Sequence, residues 1–217
     1  MKLIIRFLLF ILLIPSTYGQ SRRVELSHYI FPEFTQGTVL MKSGQEYKAL
    51  LNYNSFTEEM IFDNNGKKLA LGKEDKLRVD TISIMKRKFF ILEEKFVELI
   101  YNSGFELYAE HMCNVKYPGK PAPYGGTSES TSVTTYSGIY SGGIMYELKL
   151  PDGYVIKPYT NYWLKRDGEI KRFVNMRQLT KIFDDKKDLI REYLRTHPVE
   201  YEDQESLVQM IGFLESN

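Results

Sequence analysis

The chain has 217 residues with 29 basic and 28 acidic side chains, 43% hydrophobic and 14% aromatic content, and one cysteine. So even a balance gives no electrostatic footprint for nucleic acid or an anionic membrane surface. A single cysteine excludes an internal disulfide, so a domain of this size must be held by its apolar core.

The N-terminus carries Lys2 and Arg6, an unbroken apolar run from Phe7 to Ile14, then Pro15 and Ser16-Thr17-Tyr18-Gly19. Positive, apolar and small residues in that order predict a cleavable secretory signal over residues 1–19, with Gln20 first in the mature chain. The run is far shorter than the ~20 residues of a membrane anchor. No cysteine follows it, so no lipid anchor is expected. Removal of Lys2 and Arg6 leaves 27 basic against 28 acidic residues, a net charge of −1. The expected location is therefore the periplasm, the outer-membrane surface or the extracellular space, with no stable membrane insertion after cleavage.

Residues 20–217 are expected to form one α+β domain, β-rich over 38–116 and 144–174 and helical over 175–217. From Thr38 to Ala109 the period is two. Tyr47, Ala49, Leu51 and Tyr53 alternate with Glu46, Lys48, Leu50 and Asn52, and turn chemistry recurs at Lys42-Ser43-Gly44-Gln45 and Asp63-Asn64-Asn65-Gly66. Further strands are expected at 81–85, 88–92, 96–101 and 105–109. The sum is an antiparallel meander forming a twisted sheet or a partly closed barrel. Residues 117–143 are crowded with Gly, Ser, Thr, Pro and Tyr and read as a long surface loop. Strand signals resume at 146–150, 154–156, 161–165 and 170–174, the last two flanking Arg166-Asp167-Gly168-Glu169.

Beyond Asn175 the period lengthens to about 3.6. Three short C-terminal helices are expected, opened by Asn175 (with Gln178 reaching back), Asp185 and Asp203. Their stripes are Leu179, Ile182 and Phe183; Leu189, Ile190, Tyr193 and Leu194; and Leu207, Met210, Ile211 and Leu214.

Glu110-His111-Met112-Cys113 sets an imidazole and a thiol on one face of a strand, the geometry of two metal ligands. No third or fourth ligand stands at a supporting spacing, so neither a metal nor another cofactor is expected, and Cys113 reads as a buried thiol. The acid pairs Glu58-Glu59, Glu93-Glu94 and Asp184-Asp185 read as solvated turns or helix starts rather than glycosidase carboxylates. No phosphate loop, Gly-x-Ser-x-Gly elbow or His-Glu-x-x-His helix occurs, so no catalytic residue is assigned. Tyr124, Tyr136 and Tyr140 stand among the small hydroxyl residues of the loop, a composition suited to adaptable recognition, and are the candidate binding residues. Asp80-Thr81-Ile82 matches a short O-glycosylation pattern but begins an expected strand, and Thr81 is read as structural.

Phe31-Pro32-Glu33-Phe34-Thr35-Gln36-Gly37-Thr38-Val39, Leu51-Asn52-Tyr53-Asn54 with Thr57-Glu58-Glu59-Met60, Pro121-Ala122-Pro123-Tyr124-Gly125-Gly126 and Tyr146-Glu147-Leu148-Lys149-Leu150-Pro151 resemble an uncharacterised family of secreted proteins from Bacteroidota. The resemblance implies an exported envelope protein and brings no catalytic residues. The functional expectation is non-catalytic surface binding of an envelope component or protein partner. The rival is an extracytoplasmic hydrolase of glycans or peptides, which two or more carboxylates converging on a pocket would favour.

Overall fold

The computed structural model describes residues 28–116, 120–121, 127–128 and 155–217. The expected signal at 1–19, the strand at 146–150 and most of the loop at 117–143 lie outside the described residues. Within that loop segment, β9 (Lys120–Pro121) and β10 (Thr127–Ser128) pair antiparallel as a two-residue ladder.

The architecture is α+β, as the periodicity implies: one ten-stranded antiparallel sheet with helices at the C-terminal end. In chain order come β1 (Thr35–Met41), β2 (Glu46–Asn54), β3 (Glu59–Asn64), β4 (Lys67–Ala70), α1 (Lys73–Arg78), β5 (Val79–Ile84), β6 (Arg87–Leu92), β7 (Lys95–Asn102), β8 (Glu106–Lys116), β11 (Val155–Arg166), β12 (Glu169–Phe173), α2 (Met176–Ile182), α3 (Lys187–Thr196) and α4 (Gln204–Ser216). Across the sheet the order is β12-β11-β8-β7-β6-β5-β1-β2-β3-β4. Two meanders thus meet at the β1–β5 pair, where a single continuous meander was expected. The chain runs outward from β1 to β4, turns through α1, and returns to pair β5 with the free side of β1. Helix α1 was not signalled, because six residues without a buried side chain leave no apolar stripe to read.

The sheet is open but strongly curled. Five strand spacings separate β2 from β8, about 24 Å if the sheet were flat. Yet the backbone N–H of Cys113 on β8 donates to the carbonyl of Ser55, just beyond β2, at 3.1 Å. Register shifts at Leu40/Met41 and Leu99/Tyr101 add local twist. Gly37 permits close packing at β1, since a Cβ there would stand 2.8 Å from the Ser83 carbonyl oxygen and 2.7 Å from Leu51 Cδ1.

One face of the sheet carries both main cores. The register links Val39, Ile82, Phe89, Glu98, Ala109, Tyr162 and Phe173 side by side, an apolar row broken only by Glu98. On one side of Glu98, Leu107, Ala109, Tyr162, Leu164 and Phe173 pack against Leu179 of α2, Phe183, Ile190 and Tyr193 of α3, and Leu207, Met210, Ile211 and Leu214 of α4. On the other, Val39, Leu51, Tyr53, Met60, Ile82, Ile84, Phe89 and Phe96 gather with Phe31 inside the curl. Residues 28–33 are tied down by Asn52, whose side chain accepts from the Phe31 N–H (3.2 Å) and donates to the carbonyls of Phe31 (2.9 Å) and Glu33 (3.2 Å). The opposite face holds a small cluster of Val97, Tyr108 and Trp163.

The helix caps follow the sequence in two of three cases. Asn175 accepts from the Gln178 N–H at 2.9 Å, and the Gln178 side chain reaches back to the Val174 N–H, one residue beyond the position of a capping box. Asp203 accepts from the Glu205 N–H. Asp185 does not cap: it lies in a 3-10 turn, Asp184–Lys186, that precedes α3. The described part of the segment expected at 154–156 and the segment expected at 161–165 belong to one long strand, β11. Pro158 is tolerated within it because β12 pairs only with Tyr162–Arg166, so that among the described residues the far side of β11 is unpaired at the proline.

Candidate functional site

The strand geometry expected for His111 and Cys113 is present, since both project from the core face of β8, but they do not act together. The Nε2 of His111 lies 2.5 Å from Glu98 Oε2 and 3.2 Å from Arg87 Nη2. Arg87 grips Glu98 in a fork, Nε to Oε1 and Nη2 to Oε2, both at 2.5 Å. Burial opposes ionisation of Glu98, but the hydrogen bonds and charges of Arg87 and His111 outweigh it and hold its pKa below the ordinary value. The Arg87 guanidinium stacks over Phe31 and Phe89, 5.0 and 5.7 Å from the ring centroids. Cys113 is buried, and burial pushes its thiol pKa up against a hydrogen bond with Ser55, the opposite of an activated nucleophile. Among the described residues no three His, Cys, Asp or Glu side chains are placed to hold a metal ion.

On the opposite face Glu110 is fully buried, and its Oε2 accepts from Trp163 Nε1 (3.1 Å) and Arg172 Nε (2.8 Å). Lys95 Nζ stands 4.0 Å from Glu110 Oε1 and bonds Glu58 across the sheet seam. Glu58 is therefore a half-buried ion-pair partner, and the neighbouring Glu59 holds a buried Oε2 with no hydrogen-bond partner among the described residues. This pair departs from the solvated turn expected of it. Glu93 and Glu94 do form an exposed two-residue turn, and Asp184 and Asp185 begin the 3-10 turn. Thr81 lies within β5, and its hydroxyl donates to Asp80 Oδ2 at 2.8 Å. Tyr124, Tyr136 and Tyr140 lie outside the described residues.

The curled half of the sheet contains what the sequence did not reveal: a cavity of about 380 Å³. Its walls are Val39 and Met41 of β1, Tyr47, Ala49 and Leu51 of β2, Met60 and Phe62 of β3, Leu71, and Val79 and Ile82 of β5, with Asp75 and Arg78 of α1. Strand alternation places these apolar residues on one face, and α1 borders them through Asp75 and Arg78. Exposure is graded. Ile82, Met60, Leu51 and Val79 are buried, Met41, Ala49, Phe62 and Leu71 are half-buried, and Tyr47, Asp75 and Arg78 are exposed. A deep apolar end thus opens through a rim with one carboxylate and one guanidinium. The size falls within the range of small-molecule sites, and the mouth of a curled sheet is a common place for one. The alternating residues were legible as an inward face, but a filled core and a lined cavity share that pattern.

A second depression, about 200 Å³, lies between the Asn102–Gly104 turn and the β11–β12 turn, where Glu106 already pairs with Lys165 and Asp167 with Arg166.

The chain matches no protein-family model, no curated protein and no solved structure. No helix among the described residues is long and apolar enough to cross a membrane.

Proposed function

We propose that this is an exported, non-catalytic binding protein of the cell envelope that takes a small apolar ligand into the cavity between β1–β3, β5 and α1. One observation carries the reading: ten of the twelve lining residues are apolar, and the two charged ones stand at the exposed rim. Such a site gains affinity by removing apolar surface from water, about 0.8 kcal/mol per buried methylene. Export is supported by the basic, apolar and small-residue order of positions 1–19 and by the resemblance to secreted proteins of Bacteroidota. The rival hydrolase calls for two carboxylates facing a shared space, and the cavity offers Asp75 alone. Glu58 and Glu110 meet at Lys95, but Glu110 is fully buried and bound to Arg172 and Trp163.

The test is titration with N-phenylnaphthylamine, a neutral dye that brightens in apolar surroundings. Saturable binding at one dye per chain is expected in the parent. Ala49→Phe, which projects a ring into the cavity, is expected to abolish it while the melting curve remains cooperative. Absence of saturable binding in the parent, or undiminished binding in folded Ala49→Phe, would overturn the assignment.

A further inference from the structure

Resting on that reading, we propose that the cavity selects a single-chain amphiphile with an anionic head, a fatty-acid carboxylate, whose tail lies against Ile82, Met60 and Leu51 and whose head meets Arg78. The two rim charges are not equivalent. Asp75 belongs to the first turn of α1 and its carboxylate is turned back along the chain, with Oδ2 3.4 Å from the position a Cβ on Gly72 would take. Arg78 ends the helix, and the Lys42 N–H donates to its carbonyl at 2.8 Å, which pins the residue to the β1–β2 turn. Among the described residues its guanidinium engages no hydrogen bond or ion pair. A fixed backbone, an unengaged guanidinium and an apolar wall behind it form an anion-recognising rim over a tail-binding interior.

The burial gradient sets the direction of entry. A charged head at the deep end would lie beside Ile82 and Met60 with nothing to pair with, whereas at the rim it keeps part of its hydration and gains Arg78. Volume sets the number of chains. At about 380 Å³ the cavity is near the lower end of small-molecule sites and suits one chain rather than the two of a membrane phospholipid. Tyr47, 49% exposed, adds apolar surface at the entrance, where a tail would first leave water.

The experiment displaces N-phenylnaphthylamine with decanoate, decanol and decyltrimethylammonium, each below its micelle concentration at neutral pH. Decanoate is expected to bind tighter than decanol by about fivefold, the worth of a half-exposed ion pair, and decyltrimethylammonium more weakly than decanol. Arg78→Gln should bring decanoate down to the decanol value without changing decanol, and Asp75→Asn should tighten decanoate. Sedimentation with phosphatidylglycerol vesicles should leave the protein in the supernatant. Equal affinity for all three probes, a preference for the cationic probe that Asp75→Asn removes, or co-sedimentation that depends on Arg78 would each overturn the carboxylate assignment while leaving apolar binding standing. Failure of all three to displace the dye would instead remove the cavity reading on which it depends.

Discussion

The two halves of the sheet solve the same burial problem differently. Around β8, β11 and β12 the apolar face is sealed by α2, α3 and α4, whose stripes leave Leu179, Leu207, Met210, Ile211 and Leu214 with no exposed surface. Around β1, β2, β3 and β5 the cover is the curl of the sheet, residues 28–33 and the single short turn of α1, and the face is left partly hollow. An amphipathic helix brings a side-chain layer that fills the space above a sheet, whereas α1 buries none of its own residues and borders the face through Asp75 and Arg78 without filling it. The border is Glu98, the one ionised group in the apolar row, held by Arg87 from the hollow side and His111 from the sealed side.

The largest effect expected from this contrast comes from one substitution made twice. Leu207→Ala removes a fully buried side chain from the sealed half and should cost about 3–4 kcal/mol, because the helices cannot collapse into the space. Leu51→Ala, also almost fully buried, only widens an existing cavity and should cost about 2–3 kcal/mol, near the low end for such changes. Urea unfolding midpoints at constant slope decide the order. A larger loss at Leu51 would mean that the hollow half is packed as tightly as the sealed one.

The border gives a smaller effect with a pH signature. Glu98→Gln leaves Arg87 and His111 without their anion and should cost about 2 kcal/mol at neutral pH, less than a fully buried pair because Arg87 is a third exposed. The folded pKa of Glu98 lies below its ordinary 4.5. The carboxylate's contribution is therefore fully present above about 4.5 and is lost as pH falls through the lower folded value. Melting temperatures of parent and variant should differ most above that range and converge as acid protonates Glu98. A constant difference down to pH 3 would show that the loss is one of packing, not charge.

How far the sequence disclosed this contrast follows from the range of the signals. Strand alternation and the helix stripes are local, so every strand among the described residues of the main sheet, and Leu207, Met210, Ile211 and Leu214 as a buried stripe, were readable. The insertion of β5 beside β1 was not, because it depends on the free edge of a strand some forty residues earlier. His111 was readable as a candidate only by type. Its partners Arg87 and Glu98 sit on two other strands, and nothing in Glu110-His111-Met112-Cys113 points to them. The cavity was hidden for a related reason: Ala49 and Leu51 alternate identically whether or not a helix above them fills the gap.

The smallest effect concerns the hairpin joining β6 to β7, at the edge of the border. Its two-residue loop is Glu93-Glu94, with both residues in the left-handed region at φ 46° and 65°. The loops at Asn65-Gly66 and Asp167-Gly168 adopt the same signs, with glycine at the second position. A left-handed conformation costs a residue with a Cβ about 1 kcal/mol, which Asn and Gly largely avoid. Both glutamates are exposed, so their replacement removes no packing, though Glu94 contributes a weak attraction to Lys76. The double change Glu93→Asn with Glu94→Gly should therefore stabilise the protein by about 1 kcal/mol, less a few tenths for glycine's freedom in the unfolded chain. For a chain of this size that is a rise of about 2–4 °C in Tm. The reciprocal change, Asp167→Glu with Gly168→Glu, should lower Tm by a similar amount. A fall in the first variant would mean that the glutamates hold the border hairpin through their charges, and the boundary between the two halves would then extend from Glu98 to the end of the β6–β7 turn.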